Sequence, residues 1–463
     1  MPLDPARLFD PDPTQKSAAM YLYELVAKKP IYSPHGHVNP AFFSNPNYHF
    51  KNPVELFIQP DHYVIRMLYS QGITYDRILT SENPRAVWQL FASNYFLYRG
   101  TPSGIWLDHE MWEVFGVKEK LTGDSADRIY DQIVHLLAGE EFTPRNLYKK
   151  FSIAVLATTD SATDTLEHHQ AILNSGWDGR IIPTFRPDNL INLNASDWIQ
   201  NIHLLEKVSG IQIGSYKEFI QALEQRRSYF KSMGATASDV SPAQPITAWL
   251  SPNEMEVIFQ RALQGKSAPP DAVNFSAHML IELARMCVED GLVMQIHPAI
   301  YRNHNPQVMK EFGPDTGFDI PVRTEFTRQL KPLLDRFGNH PNLTLILFNL
   351  DESALPRELA PLAGAYPAIK LGPPWWFLDS WNGMRRYFDQ VMETTGIYNT
   401  VGFNDDTRGL LSIPARHDVW RRASANWLAG LLVRGIIDRE DAETMIHELT
   451  DGLDRKTSCR ERV

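Results

Sequence analysis

Two histidines near the N-terminus have the spacing of a metal-binding pair. His35 and His37 are separated by one glycine and follow a short apolar run at 31–32. In an extended strand, residues i and i+2 point to the same face, so both imidazoles are expected to face inward. Neutral imidazoles that converge from one strand end provide half of a divalent-metal site. Alone the pattern is weak, because a chain with 15 histidines can contain such a pair by chance, and a polar turn is the simpler alternative.

Further candidate metal ligands stand at the ends of later apolar runs. His297 ends the run 291–298, and Asp405 and Asp406 end the run 399–406. Three imidazoles and one carboxylate suit Zn²⁺, or another divalent metal such as Mn²⁺, with an open position for water or substrate. Taken alone, His297 is more simply a core histidine. Together with the first pair, these groups predict a metal site.

Three arginines follow the same predicted strand ends. Arg186 follows the run 180–185, Arg302 follows His297 by five residues, and Arg408 follows Asp406 by two. The planar guanidinium group binds carboxylates in a bidentate manner, so three of them at one mouth indicate a small anionic substrate. The alternative is that each arginine simply pairs with a local aspartate, Arg186 with Asp188 and Arg408 with Asp405.

These residues require a fold that brings strand ends together. Besides the run before His35, seven short apolar runs are mostly followed by polar residues and helical patterns; they lie at 151–160, 180–188, 245–252, 291–298, 343–351, 368–376 and 399–406. Strands that alternate with helices pair in parallel, and eight such units predict an α/β fold, a (β/α)8 TIM-like barrel. The run 245–252 is the weakest and could be a loop. A doubly wound open sheet is disfavoured because no G-x-G-x-x-G motif follows an early strand.

The spacing of the runs predicts one barrel domain over residues 1–463. Two long stretches between strands are helical in pattern: 39–150 after the first strand, and 189–244 before the fourth. We expect both to be helical insertions at the barrel mouth. The last ten residues, 454–463, form an atypical basic tail to which we attach no function.

Composition excludes several classes of protein. The net charge of −10 and the lack of a basic stripe argue against a nucleic-acid binder. Two cysteines cannot form a disulfide framework. The first residues lack the apolar segment of a signal peptide, and the apolar stretch 427–437 is too short to span a membrane. We therefore expect a soluble cytoplasmic protein with no membrane partner.

Several longer motifs resemble those of the uronate isomerase (glucuronate isomerase) family of the amidohydrolase superfamily. They run from near residue 20 to about 445 and are distinctive in order and spacing. Besides H-x-H at 35–37, they include ATTDSATDTLEHH at 157–169, PTFRPD at 183–188, IHPAIYRNHNP at 296–306, FGPDTGFD at 312–319, LGPPWWFLD at 371–379 and NDDTRGLLSIPARHDVWRR at 404–422.

The resemblance implies an aldose–ketose isomerase that interconverts D-glucuronate with D-fructuronate and D-galacturonate with D-tagaturonate. It also implies a homo-oligomer. The implied metal ligands are His35, His37, His297 and Asp406. The implied catalytic residues are Asp406, Tyr63, Arg302 and Arg408, and the implied substrate-binding residues are His62, Arg186, Asp239 and Trp376. Either Asp406 or Tyr63 could be the base, because an Asp and a Tyr start with pKa values of about 4 and about 10 and each needs a shift towards neutrality.

Two positions depart from the family pattern near the expected mouth. Val240 follows Asp239 where the family usually has a histidine, and Ser161 replaces the second of two aspartates. Both changes bear on sugar specificity more than on the metal.

Two other functions remain to be weighed. A metal-dependent hydrolase or lyase acting on another small carboxylate is the main alternative. The run 343–351 lacks the histidine that such hydrolases often place there, which favours a non-hydrolytic site with one metal. A sugar-acid binding protein without catalysis is disfavoured because all four candidate metal ligands are present.

Overall fold

A curled parallel sheet forms the centre of the protein, for which a computed structural model describes residues 3–457. Within that range the strands are β1 (Ile31–Ser33), β2 (Ile153–Ser161), β3 (Ile181–Arg186), β4 (Ala237–Val240), β5 (Val293–Ile296), β6 (Ile300–Tyr301), β7 (Ile320–Pro321), β8 (Leu345–Leu347) and β9 (Ile369–Leu371). The main sheet has the order β1-β2-β3-β4-β5-β8-β9, and every pair in it is parallel. The strands β6 and β7 form a separate antiparallel hairpin.

The segment 400–407 occupies the place of an eighth strand. Thr400 forms a parallel bridge with Leu371 of β9, and the His37 backbone N–H donates to the Thr407 carbonyl at 2.8 Å. This segment therefore links the last strand of the sheet to the chain that follows β1. The predicted α/β, TIM-like barrel is confirmed, although its eighth position is filled by an irregular segment.

The fourth strand is not where the sequence pattern predicted it. The strand β4 is Ala-Ser-Asp-Val, inside the stretch 189–244 that was expected to be helical. The predicted run 245–252 is a loop that leads into a helix beginning at Pro252. Its backbone donors bond to other parts of the chain: Thr247 to Gln329 at 2.9 Å and Ala248 to Ala277 at 3.3 Å. The prediction failed because β4 is short and half polar, whereas the loop is more apolar.

Helices fill the long insertion and surround the sheet. Between β1 and β2 the α-helices are Ala41–Ser44, Pro53–Phe57, His62–Tyr69, Tyr75–Leu79, Pro84–Ser93, Pro102–His109, Ala126–Leu137 and Pro144–Lys150. The others described are Pro13–Val26, Glu167–Asn174, Asp188–Ile191, Trp198–Ser209, Tyr216–Ser232, Pro252–Leu263, Pro269–Asp290, Pro306–Phe312, Lys331–Phe337, Ala360–Ala365, Trp381–Thr395, Ser412–Val433, Arg439–His447 and Leu453–Thr457. In the part of the chain with described helices, none is long and apolar enough to cross a bilayer.

More of the C-terminal segment packs on the barrel than the sequence predicted. Residues 454–457, predicted to begin a basic tail, belong to the helix Leu453–Thr457. Asp454 is buried, and its carboxylate accepts a hydrogen bond from the Phe403 N–H at 3.2 Å. The remaining residues of the predicted tail, 458–463, lie outside the described residues. The last described helix therefore supports the segment 400–407.

Candidate metal centre and cleft

His35 and His37, which follow β1, meet Asp406 of the segment 400–407 at the carboxyl end of the sheet. The Nε2 atoms of His35 and His37 lie 3.4 Å and 3.1 Å from Asp406 Oδ1. Asp406 has φ +41°, a left-handed backbone conformation that non-glycine residues rarely adopt and that is often found at functional sites. Residues far apart in the chain thus form one cluster.

His297 completes this cluster from β5. Its ring stacks on that of His35 with a centroid distance of 4.5 Å. Its Nδ1 lies 2.6 Å from Asp239 Oδ1, so the carboxylate holds the proton on Nδ1 and leaves Nε2 as a free lone pair. Phe348, just after β8, also stacks on the His297 ring, with a centroid distance of 4.0 Å, and so fixes its orientation.

The cluster has the donors of a divalent-metal site. Candidate ligand atoms of His35, His37 and Asp406 lie within 4.8 Å of one another, as do those of His35, Asp239 and His297. Among the described residues, His297 Nε2 and Asp406 Oδ1 are buried atoms without a hydrogen-bond partner. Buried polar atoms are normally paired, so these atoms fit a cation that they would coordinate. These residues can hold a divalent metal.

The electrostatics of the cluster favour an ionised carboxylate and neutral imidazoles. Burial alone would raise the pKa of Asp406, but the adjacent His37 and His35 imidazoles outweigh it and hold that pKa well below its usual range. Burial lowers the pKa of both His37 and His297. Burial raises the pKa of Tyr63 well above its usual 10, although the nearby Arg416 opposes this. Tyr63 therefore keeps its proton at neutral pH.

Each predicted arginine has an aspartate partner, but the pairs differ from those suggested by sequence. Arg186 binds Asp188 at 2.5 Å, as expected, and also lies 3.2 Å from Asp239 Oδ2. Arg408 does not pair with Asp405; its Nη2 lies 3.2 Å from Asp315 Oδ2.

Arg302 and Asp405 also have partners that the sequence did not predict. Arg302 lies 3.1 Å from Asp319 and donates to Ser241 Oγ at 3.0 Å. Asp405 points away from the cleft, and its Oδ2 lies 3.1 Å from His417 Nε2. The arginines thus remain at the cleft, whereas Asp405 does not reach it.

One cavity of about 720 Å³ joins these groups. Ten of the predicted site residues line it: His35, His37, His62, Tyr63, Arg186, His297, Arg302, Trp376, Asp406 and Arg408. Asp239 does not, because it is fully buried behind His297 and Arg186. We therefore find Asp239 in a position to orient two cleft residues rather than to contact a ligand.

Local sequence explains how His62 and Tyr63 reach the cavity. The Asp61 side chain accepts hydrogen bonds from the N–H groups of Tyr63 and Val64, at 2.8 Å and 3.3 Å, and so begins the helix His62–Tyr69. Both residues therefore occupy the first turn, at the cleft. Burial, followed by the charge of Arg408, lowers the pKa of His62 to about 3. His62 is neutral at physiological pH.

Sequence reasoning missed two groups at the cleft. Asp315, in the motif at 312–319, lines the cavity beside Arg302 and Arg408. Arg416, in the motif at 404–422, is buried behind Tyr63; its guanidinium lies 5.6 Å from the Tyr63 ring and binds Asp379 at 2.6 Å. Both belong to motifs of the family resemblance. The sequence analysis selected residues that directly follow a predicted strand, and neither of these two does.

Comparison with known proteins agrees with this geometry. The glucuronate isomerase family profile matches residues 13–453. A uronate isomerase of Nostoc punctiforme is 52% identical over 458 residues, which cover 97% of each chain. The chain belongs to the glucuronate isomerase family. A uronate isomerase of Brucella melitensis is 47% identical over 465 residues, 99% of each chain. The crystal structure of glucuronate isomerase from Caulobacter crescentus has a TM-score of 0.98 and 45% identity, covering 100% of this chain and 98% of that one. The family resemblance seen in the motifs is thus confirmed.

Proposed function

We propose that this protein is a uronate isomerase, an aldose–ketose isomerase that interconverts D-glucuronate with D-fructuronate and D-galacturonate with D-tagaturonate. The observation that carries the proposal is one cavity that joins the His-Asp cluster to three arginines, in a chain of this family. The cluster suits the hydroxyl and carbonyl oxygens of an open-chain sugar. The arginines suit its carboxylate.

The reaction requires movement of one proton between neighbouring carbons. A base removes the proton from C2 of the aldouronate and a proton is delivered to C1, while the C2 hydroxyl loses its proton and O1 gains one, so that the carbonyl moves to C2. Asp406 is the better candidate for the base, because it is ionised whereas Tyr63 is not, although its lowered pKa makes it a weaker base than a free aspartate. Tyr63 keeps its proton and is suited to donate a hydrogen bond to a sugar oxygen. This assigns different roles to two residues between which the sequence could not choose.

We propose Zn²⁺ as the ion for the cluster, with His35, His37, His297 and Asp406 as its ligands. Three imidazoles and a carboxylate are a common zinc donor set, although Mn²⁺ also accepts them. When bound, such an ion supplies positive charge to the sugar oxygens on which negative charge develops. Asp239 would orient His297 through its Nδ1–H.

The substrate carboxylate is proposed to bind at the arginine side of the cavity. Arg186, Arg302 and Arg408 line it, and the Arg302 guanidinium lies 5.1 Å from the centre of the Trp376 ring. That contact fixes the plane of the guanidinium group. His62, whose ring centre is 6.3 Å from that of Trp376, closes the same wall as a neutral hydrogen-bonding group.

The proposed roles of Asp406 and Tyr63 can be separated with two variants assayed on D-glucuronate. Asp406→Asn removes the base and is expected to reduce kcat by at least about 100-fold. Tyr63→Phe removes only a hydrogen-bond donor and is expected to retain measurable turnover with a reduced kcat. Circular dichroism and metal content of both variants serve as controls for folding and ion binding. Full activity in both variants would overturn the assignment.

A further inference from the structure

A carboxylate from a loop of the protein itself faces two of the cleft arginines. Asp315 lies between the helix Pro306–Phe312 and β7, and it lines the cavity. Its carboxylate is 3.2 Å from Arg408 Nη2 and 3.8 Å from Arg302 Nη1. Its backbone carbonyl accepts a further hydrogen bond from Arg408 Nη1 at 3.4 Å. One carboxylate therefore bridges two guanidinium groups at the place proposed for the carboxylate of the substrate.

The backbone that carries Asp315 is fixed, whereas its side chain has room to move. The Tyr75 hydroxyl donates to the neighbouring Thr316 carbonyl at 2.6 Å. Gly317 has φ +97°, and a Cβ there would lie 3.0 Å from the His62 carbonyl, so the loop packs directly on the cleft. The Asp315 side chain, in contrast, is 53% exposed. Its exposure means that close packing does not hold the side chain in the way that these contacts hold the loop.

The other acidic partner of Arg302 is held much more firmly. Asp319 has only 6% of its side chain exposed and accepts a hydrogen bond from the Asn303 N–H at 2.7 Å, besides binding Arg302 at 3.1 Å. A carboxylate held in this way orients the guanidinium permanently. Asp315 has no such anchor for its side-chain oxygens within the described chain beyond the two arginines. It is therefore the replaceable partner.

The charge state of Asp315 allows it to act as an anion. Burial alone would raise the pKa of this carboxyl, but Arg408 and Arg302 outweigh that effect and lower it. At neutral pH the group is a carboxylate, of the same type as the acid group of a uronate. The Asp315 carboxylate and the uronate carboxylate can therefore bind the same guanidinium donors.

We infer that Asp315 is an internal competitor of the substrate carboxylate and a specificity-determining residue of the cleft. A uronate exchanges one carboxylate for another at Arg302 and Arg408, whereas a ligand without an acid group cannot replace Asp315 without leaving Arg408 unpaired and Arg302 with Asp319 as its one carboxylate partner among the described residues. The affinity of the cleft for anions is thereby kept low enough for release of an anionic product. This inference rests on the proposed uronate substrate.

The test measures binding of a ligand that cannot react. L-Gulonate retains the carboxylate of D-glucuronate and carries an alcohol in place of the carbonyl at C1. D-Glucitol has the same carbon skeleton without the acid. Calorimetry on the full chain gives the Kd of each ligand for the unaltered protein and for Asp315→Asn. A matched control is Asp335→Asn, because Asp335 is 54% exposed and pairs only with Lys331 among the described side chains.

Removal of the competing charge is expected to tighten L-gulonate binding by about two- to fivefold, the range of a partly exposed ion pair. The gain for D-glucitol is expected to be smaller, and Asp335→Asn is expected to change neither Kd. An unchanged or raised Kd for L-gulonate in Asp315→Asn overturns the inference, because it would mean that Asp315 is neutral or orients the arginines for the substrate. Failure of the unaltered protein to bind L-gulonate would instead contradict the proposed function.

Discussion

Asp239 illustrates what single residues contribute to the site. The family resemblance implied a contact with substrate, but the structure buries the carboxylate completely behind the cavity wall. There it accepts from His297 Nδ1 at 2.6 Å and lies 3.2 Å from Arg186 Nη1. One carboxylate thus sets both the tautomer of a candidate metal ligand and the position of a cleft cation. Sequence alone could not show this, because a residue at a strand end can point either into or away from the barrel.

The position of Asp239 predicts an effect on metal binding. Asp239→Asn weakens the hold on the Nδ1 proton of His297 and is expected to lower metal affinity by roughly 10- to 100-fold, as for other partners that orient a ligand histidine. Competition with a coloured chelator gives the affinity directly. Asp188→Asn is the matched control, since Asp188 also pairs with Arg186 but lies on no candidate ligand. Equal metal affinity in both variants would show that Asp239 does not orient His297.

At the scale of elements, the sequence pattern predicted the barrel but placed its fourth strand wrongly. Seven of the eight predicted runs coincide with sheet strands or with the segment 400–407. The exception, 245–252, is apolar in sequence although Ile246 and Trp249 are exposed, and periodicity cannot distinguish such a loop from a buried strand. Its Leu250 N–H donates to His278 Nδ1 at 3.0 Å, a side-chain bond that no local pattern announces. Tertiary contacts therefore determine the structure of residues 245–252.

The Leu250–His278 bond predicts a pH dependence of stability. Burial, followed by the charge of Arg336, lowers the pKa of His278 to about 4 from 6.5. A lowered folded-state pKa means that the stabilisation is present above pH 6.5 and is lost as the pH falls towards 4, up to about 3 kcal/mol.

Thermal unfolding of His278→Asn checks this expectation. Asparagine keeps an acceptor for the Leu250 N–H but does not titrate. The variant is therefore expected to lose less stability than the unaltered protein between about pH 7.5 and about pH 4.5, a range that covers roughly two-thirds or more of the expected loss. His203→Asn, at a 70% exposed side chain, is the control and is expected to behave like the unaltered protein. An identical loss in all three proteins would contradict the account.

At the scale of the whole molecule, residues near the N-terminus pack on the long helix that follows the segment 400–407. Arg7 binds Asp418 of the helix Ser412–Val433 at 2.6 Å, and Asp10 N–H donates to Asn426 of the same helix at 2.7 Å. That helix follows the segment carrying Asp406 and also supplies Arg416 behind Tyr63. Closure of the barrel therefore brings the first histidines to an aspartate about 370 residues later. The barrel class made this meeting predictable from sequence, whereas Asp315 and Arg416 depended on loop and helix packing that it does not specify.

Other properties of the whole molecule stay predictions. They are the homo-oligomeric state, the cytoplasmic location, the identity of the metal and the roles of the individual site residues. The sequence departures at Val240 and Ser161 fall on β4 and β2, and neither residue lines the cavity. We therefore expect them to affect sugar preference only through the residues beside them.

We propose that the cleft moves the carbonyl of a uronate from C1 to C2. Carbon NMR of D-glucuronate labelled with ¹³C at C1, incubated with the metal-supplemented protein in deuterated water, tests this most directly. We predict that the labelled carbon becomes a hydroxymethyl carbon, with deuterium attached wherever the transferred proton has exchanged with solvent. A labelled carbon that keeps its aldose signal while the sugar binds saturably, or that leaves the six-carbon chain, would contradict the account.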